Sequence, residues 1–577
     1  MQTNWFKYTN ALMTTSAMLI LMLFAACGGS APPEPVVVEK EVVKEVIKEV
    51  IKEVQVEKIV VATPTAAPPP SAVEKPEGHL RIAYTSLGND GIYPKSSNVN
   101  AGGKDIQTTM YDVVIGSDAQ GAFSTETGLA HEWSTSSDAL QHTIHLRKGV
   151  KFHNGEEVTA EDVMFSMIEI MEEDSQASFN RELTPLLENF EIPAPYTVVI
   201  NCHSLCPFAL WIFSGVRGTD GMVVPMAHYE AVGESEYAKS PVASGPYSFG
   251  EQVLGASIRV DAVNAPHFRG GIPKYETITF LGIPEETTRY AMLKSGSADI
   301  IDTSRERIDS LKADGFNVFY KERADLMGAY FFQQWEENSP FKDIKVREAI
   351  NKAINRPAIL EHIFEGRGGY AFYPMGSYAL SSGLNPDLLT YPYEPDRAKA
   401  LLKEAGYDKG NPLEVKLAIY PFGGIVEFPR MIEAIGADLE EAGIKVNFQP
   451  TEYGTLRNMR KAFELGGGWL GPWATTNRAA PAEILSIVRA LYYSKAPYTT
   501  YKNPGFDAIM DKAFSSVDPE PIKGYIADMQ RFLYEDYYGI PLFEVDTPFA
   551  TVPEITHWDT GRDSYDKNMD SLFFPGK

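Results

Sequence analysis

The chain has 577 residues, of which 44% are apolar and 22% are charged, so most of it is expected to be globular. A chain of this length exceeds what one hydrophobic core supports and implies two or more domains. Its formal net charge of −25 argues against nucleic-acid binding, because a protein that binds nucleic acid needs a basic face.

The N-terminal region has the pattern of a secretory signal. Residues 11–26 contain no charged residue, yet this stretch is shorter than the roughly 20 apolar residues that a membrane-spanning helix needs. It ends in Phe24-Ala-Ala-Cys27 followed by Gly-Gly-Ser, which is similar to the bacterial lipobox except that Phe24 replaces the usual Leu. We therefore predict a signal peptide over residues 1–26 and acylation of Cys27, which would anchor the mature chain to the membrane. The alternative is an ordinary secretory signal in which Cys27 has no role.

Residues 27–77 are predicted to be a tether. Prolines cluster at both of its ends, and a four-residue repeat, EVVK-EVIK-EVIK-EVQV, occupies residues 41–56. As a helix the repeat would place Glu and Lys three residues apart, whereas its β-branched residues favour a strand. Neither conformation buries enough apolar surface to fold alone, so we interpret this region as a spacer or a weakly self-associating stalk.

The globular part begins near Gly78 and alternates short apolar strands with amphipathic helices, which is the pattern of an α/β protein. Glycines after Ala405 and Ala442 suit the left-handed residue that ends a helix. Strands are expected at 80–84, 141–147, 329–334 and 445–450. Helices are expected at 159–173, 286–295, 346–364, 396–405 and 428–442.

The sequence lacks several common motifs for catalysis and nucleotide binding. Lys104 is followed by Asp105 where a P-loop needs Ser or Thr, and no GxSxG elbow occurs. His131 and Glu132 lack the second histidine of a zinc protease. The histidines are scattered, so no metal site and no cofactor are expected. The sequence favours a binding protein over an enzyme.

One segment, residues 128–170, carries a specific resemblance. It combines a strand, a tight turn, a short strand containing Phe152, an Asn-Gly turn and a helix. Thr159 and Asp162 open that helix in a pattern close to a capping box. The segment resembles the signature of the family 5 extracellular solute-binding proteins, the peptide, dipeptide and nickel class.

Further stretches resemble the same family, in the order that the family has them. They read SGPYSF, RYAMLKSGSADI, FKDIKVREAINKAINR and YEPDRAKALL, at residues 244–249, 289–300, 341–356 and 393–402. Together with the signature, the resemblance extends over residues 78–577.

The resemblance implies a two-lobed α/β fold of the periplasmic-binding-protein type (class II, cluster C) with an inserted subdomain. Lobe I would comprise residues 78–105, 230–322 and 541–577, the inserted subdomain 106–229, and lobe II 323–540. The chain would cross between the lobes near residues 322 and 541, which together form a hinge. A ligand would bind in the cleft between the lobes and favour closure.

The resemblance also implies a function and partners. The protein would be a monomer in the periplasm or at the cell surface, binding an oligopeptide or a similar medium-sized polar solute. It would deliver this solute to an ABC permease, with the ATPase subunits on separate chains. The alternatives are a carbohydrate-type solute, or a sensory or chaperone-like protein on the same fold.

The expected ligand contacts depart from those of the family's peptide binders. In those proteins a Trp-x-x-Asp element of lobe II holds the peptide's α-amine, whereas residues 469–472 here read Trp-Leu-Gly-Pro. Pro472 offers no carboxylate, and a buried ammonium needs a countercharge. We expect this stretch, as a loop, to contact a sugar, an aromatic ring or a carboxylate instead. The candidate contacts are Trp473, Trp469, Asn477 and Arg478, with a core position as the alternative for Trp469.

Weaker candidates follow two of the predicted strands. Tyr84, Asn89 and Tyr93 come at or after the end of the first strand, where loops of the cleft usually start. Trp335 follows the strand at 329–334. A packing role is the alternative for each aromatic residue.

Cys202 and Cys206 flank His203 in the sequence NCHSLCP. In an oxidising compartment a disulfide that closes this small loop is the first interpretation. Two free thiols are the second, and a metal site is the third, since Cys-His-x-x-Cys offers at most three ligands.

Overall fold

The computed structural model describes residues 75–88, 92–95, 101–118, 123–172, 175, 183–206, 208–215, 221–422, 425–477, 481–496, 499–516, 519–560 and 569–574. The predicted signal peptide and nearly all of the tether, including Cys27, lie outside these residues, as do Asn89 and Arg478. Within the described ranges, no helix is long and apolar enough to cross a membrane.

The strands of the described residues are, in chain order, β1 (His79–Tyr84), β2 (Gly116–Ser117), β3 (Phe123–Ser124), β4 (Ala130–Thr135), β5 (Gln141–Leu146), β6 (Leu187–Ala194), β7 (Thr197–Cys202), β8 (Tyr247–Val253), β9 (Ser257–Ala262), β10 (Thr277–Gly282), β11 (Ile300–Asp302), β12 (Asn317–Phe331), β13 (Gly368–Tyr370), β14 (Glu414–Ile419), β15 (Lys445–Pro450), β16 (Trp469–Thr476) and β17 (Gly539–Thr551).

The α-helices are α1 (Ala101–Met110), α2 (Ala160–Met171), α3 (Ala209–Ile212), α4 (Met226–Val232), α5 (Glu234–Tyr237), α6 (Glu286–Ser295), α7 (Ile308–Ala313), α8 (Ile344–Ala353), α9 (Arg356–Ile363), α10 (Pro395–Glu404), α11 (Phe428–Glu441), α12 (Tyr453–Lys461), α13 (Pro481–Tyr492), α14 (Pro504–Phe514), α15 (Pro519–Glu535) and α16 (Asp570–Phe573). Short 3₁₀ turns occupy Arg305–Arg307, Pro340–Lys342, Ser377–Ser382 and Pro386–Leu388.

One large sheet runs through both lobes in the order β15-β14-β16-β12-β17-β11-β1-β10-β9-β8, with β13 paired to β17. Strands β1, β10 and β11 are parallel and belong to lobe I, and β14, β15 and β16 are parallel and belong to lobe II. The antiparallel pair of β12 and β17 lies between these two halves. This arrangement is the mixed α/β architecture that the sequence predicts.

The buried apolar side chains of the described residues form separate cores, which we name after the predicted unit that contributes most of each. The core of lobe II draws its buried residues from 326–545, and that of lobe I from 80–300 and 549–574. The core of the inserted subdomain draws its residues from 114–223, around the sheet β4-β5-β7-β6 and helix α2. Helix α1 contributes Ile106 and Met110 to the core of lobe I, so this helix packs with lobe I although its residues after 105 were expected in the subdomain.

A carboxylate of the signature segment links the starts of two helices. Asp162 accepts a hydrogen bond from the backbone N–H of Thr159 at 2.9 Å and from that of Met226 at 3.0 Å, so it ties the start of α2 to that of α4. The expected short strand at Phe152 does not form. The chain turns too tightly there, since Gly155 N–H donates to the Phe152 carbonyl at 2.9 Å.

The expected single helix at 346–364 is wrong, because the segment forms two helices. Helix α8 ends at Ala353. Asn355 then caps α9 by accepting a hydrogen bond from the Ala358 N–H at 3.2 Å. Pro357 has no N–H to continue the preceding helix, which explains the break.

The family motif at 341–356 also makes hydrogen bonds to β17 and to the residues just before it. The Asn351 amide donates to the carbonyl of Gly539 at 2.9 Å, and Arg356 Nε donates to that of Pro541 at 2.7 Å. Arg347 Nη2 donates to the carbonyl of Asp536 at 2.7 Å. The family motif at 341–356 therefore fixes the start of β17, and its role is structural.

The pairing of β12 with β17 has an irregularity close to the predicted crossings, and we use the name hinge for this irregularity. Lys321 pairs with Thr547 and Asp325 with Val545, so residues 322–324 of β12 stand opposite Asp546 alone. Arg323 adopts a positive φ of 43° at this point. This irregularity lies beside residue 322, where the first crossing is predicted, and the crossing itself stays a prediction. The facing residue Asp546 lies later in the chain than the expected second crossing near 541.

Replacing Arg356 by Met should destabilise lobe II. Arg356 is 1% exposed, and its loss leaves the carbonyl of Pro541 without this donor. We expect the free energy of unfolding to fall by about 2–4 kcal/mol in urea titrations followed by circular dichroism. The control is Arg397→Met, which removes only a half-exposed ion pair with Glu404 and should change stability by less than about 0.5 kcal/mol. Equal effects of the two substitutions would contradict a stabilising role for the hydrogen bond between Arg356 and β17.

Candidate ligand-binding cleft

The carboxyl ends of the parallel strands of both lobes border the hinge. Asp302, the last residue of β11, pairs with Phe549 of β17, and Thr476, the last residue of β16, pairs with Asp325 of β12. Loops that follow the carboxyl ends of parallel strands line the ligand crevice in α/β proteins. The candidate site is therefore the cleft between these two edges.

A buried ion pair joins the two edges across the cleft. Arg305 follows β11 of lobe I, and Glu427 precedes α11 of lobe II. Arg305 Nη1 lies 2.8 Å from Glu427 Oε2, and the Arg305 N–H donates to Oε1 at 2.9 Å. The two side chains are 1% and 2% exposed. The guanidinium also lies 5.1 Å from the centre of the Phe364 ring and donates to the carbonyl of Asp546 in the hinge.

More exposed contacts join the lobes beside this pair. Arg430 Nη1 lies 2.8 Å from Glu306 Oε2, with side chains 54% and 71% exposed. The ring of Phe208 in the subdomain meets that of Phe514 in lobe II edge-on, with centroids 5.5 Å apart. The structure is thus closed at these points, and Arg305–Glu427 is the part of the closure that excludes water.

Polar groups with defined partners form the hinge side of the cleft. The Asn477 amide donates to Glu544 Oε2 at 2.9 Å and to the Arg323 carbonyl at 3.1 Å. Glu544 is 1% exposed and also accepts a hydrogen bond from the Ser377 N–H at 2.7 Å. The structure therefore places Asn477, a predicted ligand contact, at the hinge, where it links β16 to both crossing strands.

Asp325 is the buried carboxyl group of the hinge. It accepts a hydrogen bond from the hydroxyl of Thr547 on the opposite strand. Burial raises the pKa of Asp325, while this hydrogen bond and the positive charges of Lys321, Arg305 and Lys104 act in the opposite direction. Charged groups of both lobes and of the hinge therefore lie close enough to interact around Asp325.

Tyr84 lies at the carboxyl edge of lobe I but is only 2% exposed. Its hydroxyl donates to Asp105 of α1, and its ring stacks on that of Phe280. Burial raises the pKa of Tyr84 well above its ordinary value. Tyr84 therefore packs inside lobe I, beneath the surface of the cleft.

Trp473 lies on strand β16, so the expectation that it occupies a loop is wrong. Residues 470–476 pair with β12, which a segment containing glycine and proline did not suggest. The Trp473 side chain is 6% exposed and packs against Tyr330 and Tyr453, with ring centroids 5.8 and 5.0 Å away. Arg460 Cζ lies 5.4 Å from the indole centre. The carbonyl of Pro472 accepts a hydrogen bond from the hydroxyl of Tyr420 at 2.7 Å, and its ring brings no charge.

Trp469 and Trp335 lie at the far end of lobe II. Trp469 opens β16, and a strand of this length places it more than about 20 Å from Asn477 at the hinge. Its ring lies under the ammonium of Lys416, 5.6 Å away. Trp335 meets Phe463 edge-on, beyond the last residue of β12. The structure does not bring these two residues to the same edge as Asn477.

Tyr93 is buried between lobe I and the subdomain. It contacts the rings of Tyr229 and Tyr237, with centroids 5.8 and 5.3 Å away. Its hydroxyl donates to Glu169 at 3.3 Å, and Lys95 lies 3.3 Å from the same carboxylate. These contacts assign Tyr93 to the junction of the two units.

Cys202 and Cys206 are joined in a disulfide within the subdomain. Cys206 Sγ also lies 3.4 Å from Nε2 of the buried His142. Over the described ranges, no group of three or more His, Cys, Asp or Glu side chains is arranged to hold a metal ion.

Sequence reasoning missed Arg305, Glu427 and Asp325. None of them belongs to a family motif, and the first two are far apart in the chain. The available signal was the position of Asp325, which lies three residues after the crossing predicted near 322, whereas no predicted element pointed to Arg305 or Glu427. A charged residue at such a crossing marks a candidate for the cleft.

Comparison with known proteins identifies the family. Residues 124–484 match the bacterial extracellular solute-binding proteins, family 5 (middle region). Heme-binding protein A of Haemophilus influenzae is 29% identical over 459 residues, which are 73% of this chain and 79% of that protein. The glutathione-binding protein GsiB of Shigella boydii is 30% identical over 462 residues, which are 76% of this chain and 85% of that protein.

Comparison with solved structures shows the fold. The ABC transporter-associated periplasmic binding protein DppA from Helicobacter pylori, in complex with a peptide, matches with a TM-score of 0.74 at 20% identity. The match covers 87% of this chain and 99% of that protein. Since the family match spans more than half of the residues, the chain belongs to the bacterial extracellular solute-binding proteins, family 5, which are non-enzymatic binding proteins of ABC importers.

Proposed function

We propose that the chain is a lipid-anchored receptor that encloses a medium-sized polar solute, such as an oligopeptide, between its lobes and delivers it to an ABC permease. The observation that carries the proposal is the buried Arg305–Glu427 pair, whose partners come from the facing edges of different lobes. Because this pair forms only when the lobes meet, closure depends on contacts at the cleft.

The mechanism is a shift in population between open and closed forms. A solute that contacts both lobes binds the closed form better and so raises its population. Moving the equilibrium from 1:99 to 99:1 requires about 5.5 kcal/mol of differential binding. The ion pair contributes to closure with or without solute, and solute contacts supply the rest.

The polarity of the site supports a polar solute. Charged or amide side chains occupy both edges and the hinge, and the set comprises Lys104, Arg305, Lys321, Asp325, Glu427 and Asn477. Pro472 brings no carboxylate, which supports a solute that needs no countercharge for an α-amine there. The relatives named for heme and glutathione support a solute of medium size. Burial of Trp473 within lobe II removes the main support for a carbohydrate-type solute.

Membrane anchoring rests on Cys27 and the small residues around it. An acylated Cys27 followed by a tether of some fifty residues would hold the binding lobes near the permease without restricting their closure.

The purified protein should carry its solute, which native mass spectrometry would detect as a noncovalent mass released on denaturation. Uptake of that solute should fall in cells that lack the protein. Unchanged uptake with a lost transcriptional or behavioural response would favour the sensory alternative. A co-crystallised peptide with its free α-amine at Pro472 would contradict the inference from that residue.

Replacing Cys27 by Ser should release the protein from the membrane. Serine keeps the size of the side chain but cannot carry the thioether-linked lipid. We expect the wild type in the membrane fraction and Cys27→Ser in the soluble fraction, measured by immunoblotting. Cys206→Ser serves as the control, since it lies in the subdomain and should leave fractionation unchanged. A Cys27→Ser variant that remains in the membrane fraction would refute the anchor.

Replacing Glu427 by Gln should weaken closure. Gln keeps the shape but leaves the Arg305 charge buried without its ion-pair partner, which should cost the closed form about 2–4 kcal/mol. We expect a larger radius of gyration in small-angle scattering and faster solute dissociation. The control, Glu306→Gln, breaks the exposed pair with Arg430 and should change closure by less than about 1 kcal/mol. Similar results for the two variants would show that the buried pair contributes no more to closure than the exposed pair does.

A further inference from the structure

Lys321 is a buried cation at the hinge. Its side chain is 2% exposed, and it lies on β12 opposite Thr547. Within the part of the chain that the structure describes, its ammonium makes no hydrogen bond and no ion pair. A largely buried lysine whose ammonium has no hydrogen-bonded anion is a candidate for binding one.

The ammonium lies at the carboxyl edge of lobe I. Its Nζ is 6.0 Å from the centre of the Phe549 ring. Phe549 pairs with Asp302 at the end of β11 and meets the ring of Tyr84, the last residue of β1, edge-on. Lys321 is therefore next to the ends of two parallel strands that border the cleft.

The carboxylates around this point are already engaged. Glu427 is paired with Arg305, and Asp105 accepts the hydrogen bond of Tyr84. Asp302 is paired with Arg289, with 2.7 Å between Oδ1 and Nε. Asp546 Oδ1 accepts the N–H of Arg323, and Asp325 accepts the Thr547 hydroxyl. The positive charges of Lys321, Arg305 and Lys104 all interact with the Asp325 carboxyl group and act to lower its pKa.

We propose that the hinge side of the cleft is an anion subsite in which the Lys321 ammonium binds a carboxylate or another acidic group of the solute. The inference rests on the proposed solute-binding function and adds the chemical class of the solute. An acidic group in this position would give Lys321 the hydrogen-bonded countercharge that the described residues do not supply.

The position of the subsite links solute charge to closure. Lys321 is on the lobe I side of the hinge irregularity and Asp325 on its lobe II side. Closure brings the Arg305 guanidinium into this region, next to the carbonyl of Asp546. An acidic solute offsets the positive charge gathered there, whereas a neutral or cationic solute does not, so the closed form selects for acidic solutes.

The test compares Lys321→Met with Lys312→Met, a matched substitution at an exposed lysine of α7. Methionine keeps the aliphatic stem of lysine and removes its charge. Native mass spectrometry of the three full-length proteins, purified in parallel, measures the fraction that retains the copurified solute. We expect wild type and Lys312→Met to retain it equally, and Lys321→Met to bind it about 10- to 100-fold more weakly.

The empty proteins provide a readout that separates binding from stability. If Lys321 serves the solute, the solute-free Lys321→Met variant should melt at the same temperature as the wild type or higher, since an uncompensated charge has gone. A lower melting temperature with unchanged retention would assign Lys321 a structural role and overturn the proposal.

Two further measurements define the class of solute. Methyl esterification of the solute released from the wild type should increase its mass, because a carboxyl group reacts. Crystals of the wild type freed of solute and soaked in bromide should show an anomalous peak beside Lys321 Nζ, which Lys321→Met crystals lack. A released solute without an acidic group, or no bromide peak, would overturn the anion subsite while leaving solute binding intact. A protein that carries no solute but shows the bromide peak would instead count against the proposed function alone.

Discussion

The antiparallel ribbon of β12 and β17 passes through both lobes and is interrupted at the hinge, where residues 322–324 stand opposite Asp546, and a second time between Leu326 and Gly328. Every element of the cleft is positioned relative to this ribbon. On one side β11 pairs with β17, and on the other β16 pairs with β12, so the carboxyl edges of the two halves approach each other beside the interruption. If the lobes move about the predicted hinge, a change in the backbone at a few residues would move whole edges with little change inside either lobe.

Beside this ribbon a buried ion pair joins the two lobes. Arg305 belongs to lobe I by sequence, but its guanidinium stacks on Phe364 and pairs with Glu427, both in lobe II. Such contacts have a steep dependence on geometry, which suits a cleft that must be either open or closed. The same chemistry makes the hinge sensitive to the charge of the solute, since Lys321 and Asp325 lie on opposite sides of the interruption.

The fold was largely predictable from sequence because its signals are local. Helix α6 has the expected bounds, and β1 and α11 differ from expectation by a residue at one end. The break at Asn355 also has a sequence signal, since Asn355 is a capping residue and Pro357 follows it. It was missed because the helical spacing of apolar residues continues through the break. The strand at Trp473 could not be recognised, because β12 rather than local preference holds a glycine- and proline-containing segment extended. Arg305 and Glu427 are separated by 122 residues, so no local pattern could join them.

The position of β17 in the sheet has a consequence for how the chain matures. This strand comes from residues 539–551 near the C-terminus, yet it lies between β11 and β12 at the middle of the sheet. A chain that emerges from its N-terminal end cannot complete either half of that sheet until almost all of it has appeared. The long-range pairing predicts slow folding with exposed strand edges in the interval. A chain of this design would therefore remain incompletely folded until its C-terminal strand pairs with both β11 and β12.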